Sequence, residues 1–186
     1  MKLYEYCIEG NTKMFIYTVE NNMLDIHENN EWLFILACKL GHIEIVIYLL
    51  NISQNYSGRK IDIHSRYEDA FVYSCMNGHI KIVKYLINIA ENYSGKKINI
   101  HIDDDSAFSC ALINNRFTIV LYLLKISQNY SNKYIDIQNT EIYDTCKNIG
   151  YLLRPNKIFN FCRTIGILPA NIINKFLMIQ LKNITL

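Results

Sequence analysis

A block of ten residues recurs at a fixed spacing. Gly78-His79-Ile80-Lys81-Ile82-Val83-Lys84-Tyr85-Leu86-Ile87 follows Gly41-His42-Ile43-Glu44-Ile45-Val46-Ile47-Tyr48-Leu49-Leu50 by 37 positions and precedes Asn115-Arg116-Phe117-Thr118-Ile119-Val120-Leu121-Tyr122-Leu123-Leu124 by another 37. This periodicity constrains the fold more than any other property of the chain. A period in this range marks a supersecondary unit too small to bury its own apolar face, so such units must stack. The expected fold is an all-α solenoid of helix-turn-helix repeats with short β-turn connections.

The array is expected over residues 1–150 of the 186. Residues 1–22 read as a shortened first unit, because Cys7-Ile8-Glu9-Gly10-Asn11 parallels Cys38-Lys39-Leu40-Gly41-His42 and Met14-Phe15-Ile16-Tyr17 parallels Ile45-Val46-Ile47-Tyr48. Full units follow at 23–59, 60–96 and 97–133, and a degenerate one at 134–150. Each full unit opens with an extended stretch, Asp25-Ile26-His27, Asp62-Ile63-His64 or Asn99-Ile100-His101. A polar turn comes next: Glu28-Asn29-Asn30-Glu31, Ser65-Arg66-Tyr67-Glu68 and Ile102-Asp103-Asp104-Asp105. Trp32, Asp69 and Ser106 lead into a first helix, for which Asp69 and Ser106 are suitable N-caps. Leu33, Phe34, Ala37 and Cys38, with their equivalents 37 and 74 positions on, give that helix its apolar face. Gly41, Gly78 and Asn115 end it, since both residue types accept a left-handed C-cap. The second helix is expected over 43–53, 80–90 and 117–127. It is apolar nearly all round, as suits a helix packed between neighbours. Polar loops over 54–60, 91–97 and 128–134 lead to the next unit. Residues 151–186 depart from the period and are expected to form a C-terminal helical cap or a docking tail.

Composition excludes several functions. The 19 basic and 17 acidic residues leave a net charge of +2, with no run of five like charges, so neither nucleic acid nor an anionic membrane is an expected partner. The start of the chain has no apolar signal segment, and no apolar run reaches the roughly 18 residues of a membrane span. Cys38 and Cys75 are one period apart, with Cys7 at the matching place. Packed helices sit about 8–10 Å apart, beyond the ~7 Å Cα limit of a disulfide, so these are expected to be buried thiols in a reducing compartment. No Cys-x-x-Cys or His-x-x-x-His pair suggests zinc. His42 and His79 are expected to bond nearby backbone, and His27, His64 and His101 are spaced to form a ladder on the turn side. No nucleophile elbow, phosphate loop or dinucleotide fingerprint is present. No cofactor, metal or catalytic residue is expected, and the chain reads as a non-enzyme.

The units resemble the ankyrin repeat, a 33-residue β-turn plus two helices with a Thr-Pro-Leu-His-x-Ala signature. The Gly-His-Ile-x-Ile-Val-x-Tyr-Leu part matches closely, while the signature slots read Asp69-Ala70-Phe71, with Ser74 as the small residue. The extra four residues per unit are expected in the loop after the second helix. The Tyr- and Asn-rich units look most like the ankyrin arrays of large DNA viruses of amoebae, which would imply the host cytoplasm as the place of action.

Across the units the core positions are nearly constant and the turn positions vary. That pattern points to a solenoid binding one protein partner through its concave face, as a monomer. The expected contact residues are Trp32, Lys39, Leu40, Arg66, Tyr67, Met76, Asp103, Asp104 and Asp105. In the tail, Leu168-Pro169-Ala170-Asn171-Ile172-Ile173-Asn174-Lys175-Phe176-Leu177 is similar to the opening of an F-box, with Asn171 in place of the usual acid. This resemblance implies an alternative role: an adaptor that recruits a host ubiquitin-ligase component through Leu168, Pro169, Ile172, Ile173, Phe176 and Leu177.

Overall fold

The computed structural model describes residues 2–22, 24–133 and 135. Among them are eight helices and no strand: α1 (Lys2–Glu9), α2 (Thr12–Asn21), α3 (Glu28–Leu40), α4 (Ile43–Ser57), α5 (Ser65–Asn77), α6 (Ile80–Ser94), α7 (Ile102–Ile113) and α8 (Phe117–Ser131). The first helices form one row, α1 on α3, α3 on α5 and α5 on α7, while α2 packs on α4 and α6 on α8 in a second layer. The described residues thus form an all-helical repeat solenoid. The expected degenerate repeat and C-terminal segment, including Leu168, Pro169, Ile172, Ile173, Phe176 and Leu177, lie outside the described residues.

The periodic residues build the core. Phe34, Phe71 and Phe108 are buried at one level of successive first helices, and Val46, Val83 and Val120 at one level of the second helices. Burying each Phe contributes about 1.5–3 kcal/mol. Ala37, Ser74 and Ala111 are fully buried where the first helices meet. Ser74 hides its hydroxyl by donating to the Ala70 carbonyl at 2.7 Å, with the Cys38 carbonyl of the preceding repeat 3.4 Å away.

The first helices end as the glycines suggest. Gly41 has φ 86°, and its N–H reaches the carbonyls of Ala37 and Cys38. It serves a second purpose: a Cβ built there would lie 2.5 Å from the His79 ring of the next repeat. Glycine is therefore required both for the backbone turn and for the seat of the next unit's side chain.

Three local expectations change. The second helices run four residues further than the apolar pattern indicates, to Ser57, Ser94 and Ser131. Gln54–Ser57, expected as loop, is an additional helical turn that ends at Gly58, φ 76°. The four extra residues per unit thus lengthen a helix. The turn is held from a distance, since Tyr56 donates its hydroxyl to the Asn22 carbonyl at 2.8 Å and accepts the Leu24 N–H at 2.9 Å. The stretches before the turns are not strands. Asp69 and Ser106 do not cap the first helices, because the chain enters these helices through a left-handed turn instead.

Candidate protein-interaction face

Each first helix is entered through three consecutive residues with positive φ. They are Asn29-Asn30-Glu31 (φ 54°, 56°, 64°), Arg66-Tyr67-Glu68 (54°, 56°, 64°) and Asp103-Asp104-Asp105 (44°, 50°, 68°). This left-handed backbone costs about 1–2 kcal/mol per non-glycine residue, so something must hold it.

The holding group is a histidine–carboxylate–serine cluster repeated in each unit. His27 Nδ1 lies 2.9 Å from the buried Glu31 carboxylate, and its Nε2 lies 2.5 Å from Ser57 Oγ. His64 meets Glu68 at 2.8 Å and Ser94 at 2.8 Å. His101 meets Asp105 at 2.5 Å and Ser131 at 2.7 Å. The histidines expected as a ladder are thus each bound within their own repeat. Hydrogen bonds to charged groups contribute roughly 1.5–3 kcal/mol each, enough to offset much of the turn's strain. The order serine–histidine–acid resembles a nucleophile relay, but the hydroxyls are already engaged. Ser57, Ser94 and Ser131 donate to the carbonyls four residues back, at 2.7, 2.8 and 2.6 Å. The cluster fastens the turn to the end of the second helix.

This geometry corrects one expected contact residue. Asp105 is 3% exposed and turned onto His101, so it belongs to the fold and not to the surface. Its neighbours Asp103 and Asp104 are exposed. The third turn position faces inward in every unit, as Glu31 and Glu68 show, and the acids at 31, 68 and 105 carried that signal in their 37-residue spacing.

The remaining turn residues form a surface. Tyr67 is 82% exposed. The Arg66 guanidinium stands over the Trp32 ring at 5.2 Å and pairs with Asp69 at 3.2 Å, linking two repeats across the face. Burial pushes the Asp69 carboxyl above its ordinary value, and Arg66 works against that shift. Toward the other end of the same helices, Lys39 Nζ lies 5.2 Å from the centre of the Tyr73 ring. Trp32 and Arg66 are therefore brought together, and Lys39, seven positions after Trp32, falls on the same side of α3 two turns away. Leu40 and Met76 are half-buried at the ends of the same helices.

Two further residues continue this surface. Lys39 and Met76 stand two positions before the helix-ending Gly41 and Gly78. The same position before Gly10 and Asn115 is held by Ile8 and Ile113, which are 58% and 56% exposed. Ile8 aligns with Lys39 across the 31-residue offset of the first unit, and that alignment is the sequence signal for its place on this surface.

The helix-ending residues are tied across repeats. His79 Nε2 meets the Lys39 carbonyl at 2.9 Å, and Arg116 donates to the Met76 carbonyl at 3.2 Å. His42 departs from its expected backbone bond: its ring packs over Gly10, but its Nε2 has no partner among the described residues. Cys7, Cys38 and Cys75 are buried free thiols. Burial pushes the Cys7 thiol up to about 12 and raises Cys38 and Cys75 strongly. Among the described residues no group of three His, Cys, Asp or Glu side chains is placed to hold a metal ion, and no helix is long and apolar enough to cross a membrane.

Residues 53–136 match the family model described as ankyrin repeats (3 copies). That match, on an all-helical stack with the same period, supports an ankyrin-repeat protein. A search of curated proteins gives no match, and a search of solved structures gives none either. Ankyrin repeats are in general protein–protein interaction modules.

Proposed function

We propose that this chain is a non-enzymatic binding module that captures one protein partner on the face formed by its turns and first helices. The observation that carries this reading is the Trp32–Arg66–Tyr67 group. The half-buried Trp32 of one repeat lies against the exposed Arg66 guanidinium of the next, with the exposed Tyr67 following Arg66 in the turn, on a backbone held by buried clusters. Such residue types dominate the energetics of protein interfaces, and a prearranged surface reduces the ordering cost of binding. Lys39, Leu40, Met76, Asp103 and Asp104 extend the surface, joined by Ile8 and Ile113. A net charge of +2 favours neither nucleic acid nor an anionic membrane as the ligand. Under this reading, and given the resemblance of the units to viral arrays, the partner is one met in the cytoplasm of a host cell.

The test is replacement of Trp32, Arg66 and Tyr67 together by alanine. Partner capture is expected to weaken by more than about tenfold, the loss of roughly one strong anchor, while the circular dichroism spectrum stays helical. Unchanged capture overturns the assignment.

A second reading rests on Leu168-Pro169 and the apolar Ile172, Ile173, Phe176 and Leu177, which have the residue pattern of an F-box opening. Under it the chain delivers its bound partner to a ubiquitin-ligase adaptor. Truncation after Gly166 separates the two. Loss of adaptor binding with cooperative folding retained supports delivery; an intact chain that never binds such an adaptor rejects it.

A further inference from the structure

The outer face of α2 differs from the matching face of the other second helices. Met14 and Tyr17 hold the places of Ile45 and Tyr48, one layer of the stack apart and identical in register. Ile45 is fully buried and Tyr48 is half-buried, with Phe15 set edge-on against its ring at 6.3 Å. Met14 and Tyr17, by contrast, are 38% and 61% exposed. Nothing among the described residues covers them.

A further regular repeat does not suit this end. Tyr6 stands four positions before Gly10, where Ala37, Ser74 and Ala111 stand four before Gly41, Gly78 and Asn115. Those small residues are where first helices come into contact, and a tyrosine there holds off another helix in the same register.

The charges suggest a different occupant. Lys13, Tyr17 and Glu20 are spaced i, i+4 and i+7, which places them along one face, with Met14 and Asn21 beside them. All five are exposed. Neither Lys13 nor Glu20 forms an ion pair among the described residues. Lys13 lies one turn before Tyr17 and Glu20 about one turn after it. Two copies of α2 crossing antiparallel at Tyr17 therefore set Lys13 of each opposite Glu20 of the other, with the tyrosines and methionines between them. The face is self-complementary, as a two-fold interface requires.

We propose that the chain forms an isologous dimer, end to end, through α2. This goes beyond the proposed partner-binding role and revises the expectation of a monomer. The dimer leaves the turn tips at Trp32, Arg66 and Tyr67 free and makes the module bivalent.

Analytical ultracentrifugation of the full chain tests this directly. The wild type is expected to sediment at twice the 21.9 kDa of one chain at micromolar to submillimolar concentration. Lys13→Glu and Glu20→Lys should each give monomers, since each sets like charges opposite one another. An equimolar mixture of the two variants, or the double variant, should restore the dimer, because opposite charges face again. All substitutions lie on exposed positions, and unchanged helical circular dichroism confirms that each variant folds. A monomeric wild type overturns the proposal, whether the α2 face is bare or covered by another part of the same chain. A dimer indifferent to the single charge reversals, or a mixture that stays monomeric, overturns it equally.

Discussion

Glu68 reaches across a repeat boundary to Asn99, whose backbone N–H it accepts at 3.0 Å. The same carboxylate oxygen lies 2.8 Å from His64 Nδ1. One buried side chain thus holds its own left-handed turn and the segment that opens the next unit. Glu31 repeats the arrangement with the N–H of Asp62 at 3.4 Å.

Glu68→Ala removes both connections and leaves a part-buried N–H and a part-buried imidazole nitrogen without their acceptor. The cost is expected at about 1–3 kcal/mol. A urea denaturation midpoint that falls accordingly, with the helical signal retained before the transition, is the expected result. An unchanged midpoint would show that the carboxylate is incidental.

Gly41 and Gly58 separate two reasons for a glycine. Both have positive φ, 86° and 76°, but only Gly41 has a neighbour within reach of a Cβ. Gly58→Ala should cost only the left-handed strain, about 1–2 kcal/mol. Gly41→Ala adds the displacement of the His79 ring, roughly a further 1–3 kcal/mol. Thermal melts of the two variants should rank them in that order; equal losses would contradict the repeat-to-repeat seat.

His79 gives the stack a pH dependence. Burial pushes its pKa below the ordinary 6.5, and the charges of Arg116 and His42 push in the same direction, while the bond to the Lys39 carbonyl opposes them. The unfolded chain therefore binds a proton at a higher pH than the folded chain does. Stability is full above the unfolded value and falls as pH drops through about 6.5 toward the lowered folded value. His79→Gln should show a shallower fall in melting temperature over that range than the wild type. Parallel profiles would remove His79 from the account.

The features legible in the sequence were those set by local chemistry repeated at one period. Phe34, Phe71 and Phe108 mark the core because an apolar helix face has only one place to go in a stack. Gly41 and Gly78 mark helix ends because few residues accept that backbone. Gln54-Asn55-Tyr56-Ser57 misled because its composition is that of a turn. Its helix is held by Tyr56 at Asn22 and Leu24, more than thirty residues away, and no local propensity reports such a contact. Asp105 misled because two exposed aspartates stand beside it. Only comparison with Glu31 and Glu68 shows that the third acid is a structural one.

The left-handed turns have a consequence for how this surface diversifies. A backbone at φ near +55° is the mirror image of the ordinary helical region, and a D-amino acid would rest there without strain. For L-residues it disfavours branching at Cβ, so valine, isoleucine and threonine are poorly suited to positions 29–31, 66–68 and 103–105. The residues present there are Asn, Glu, Arg, Tyr and Asp, all unbranched at that carbon. The positions that vary most between units are thus filled from a restricted alphabet. New specificity on this scaffold has to come from the length, charge and aromaticity of side chains, with the shape of the turn itself held constant.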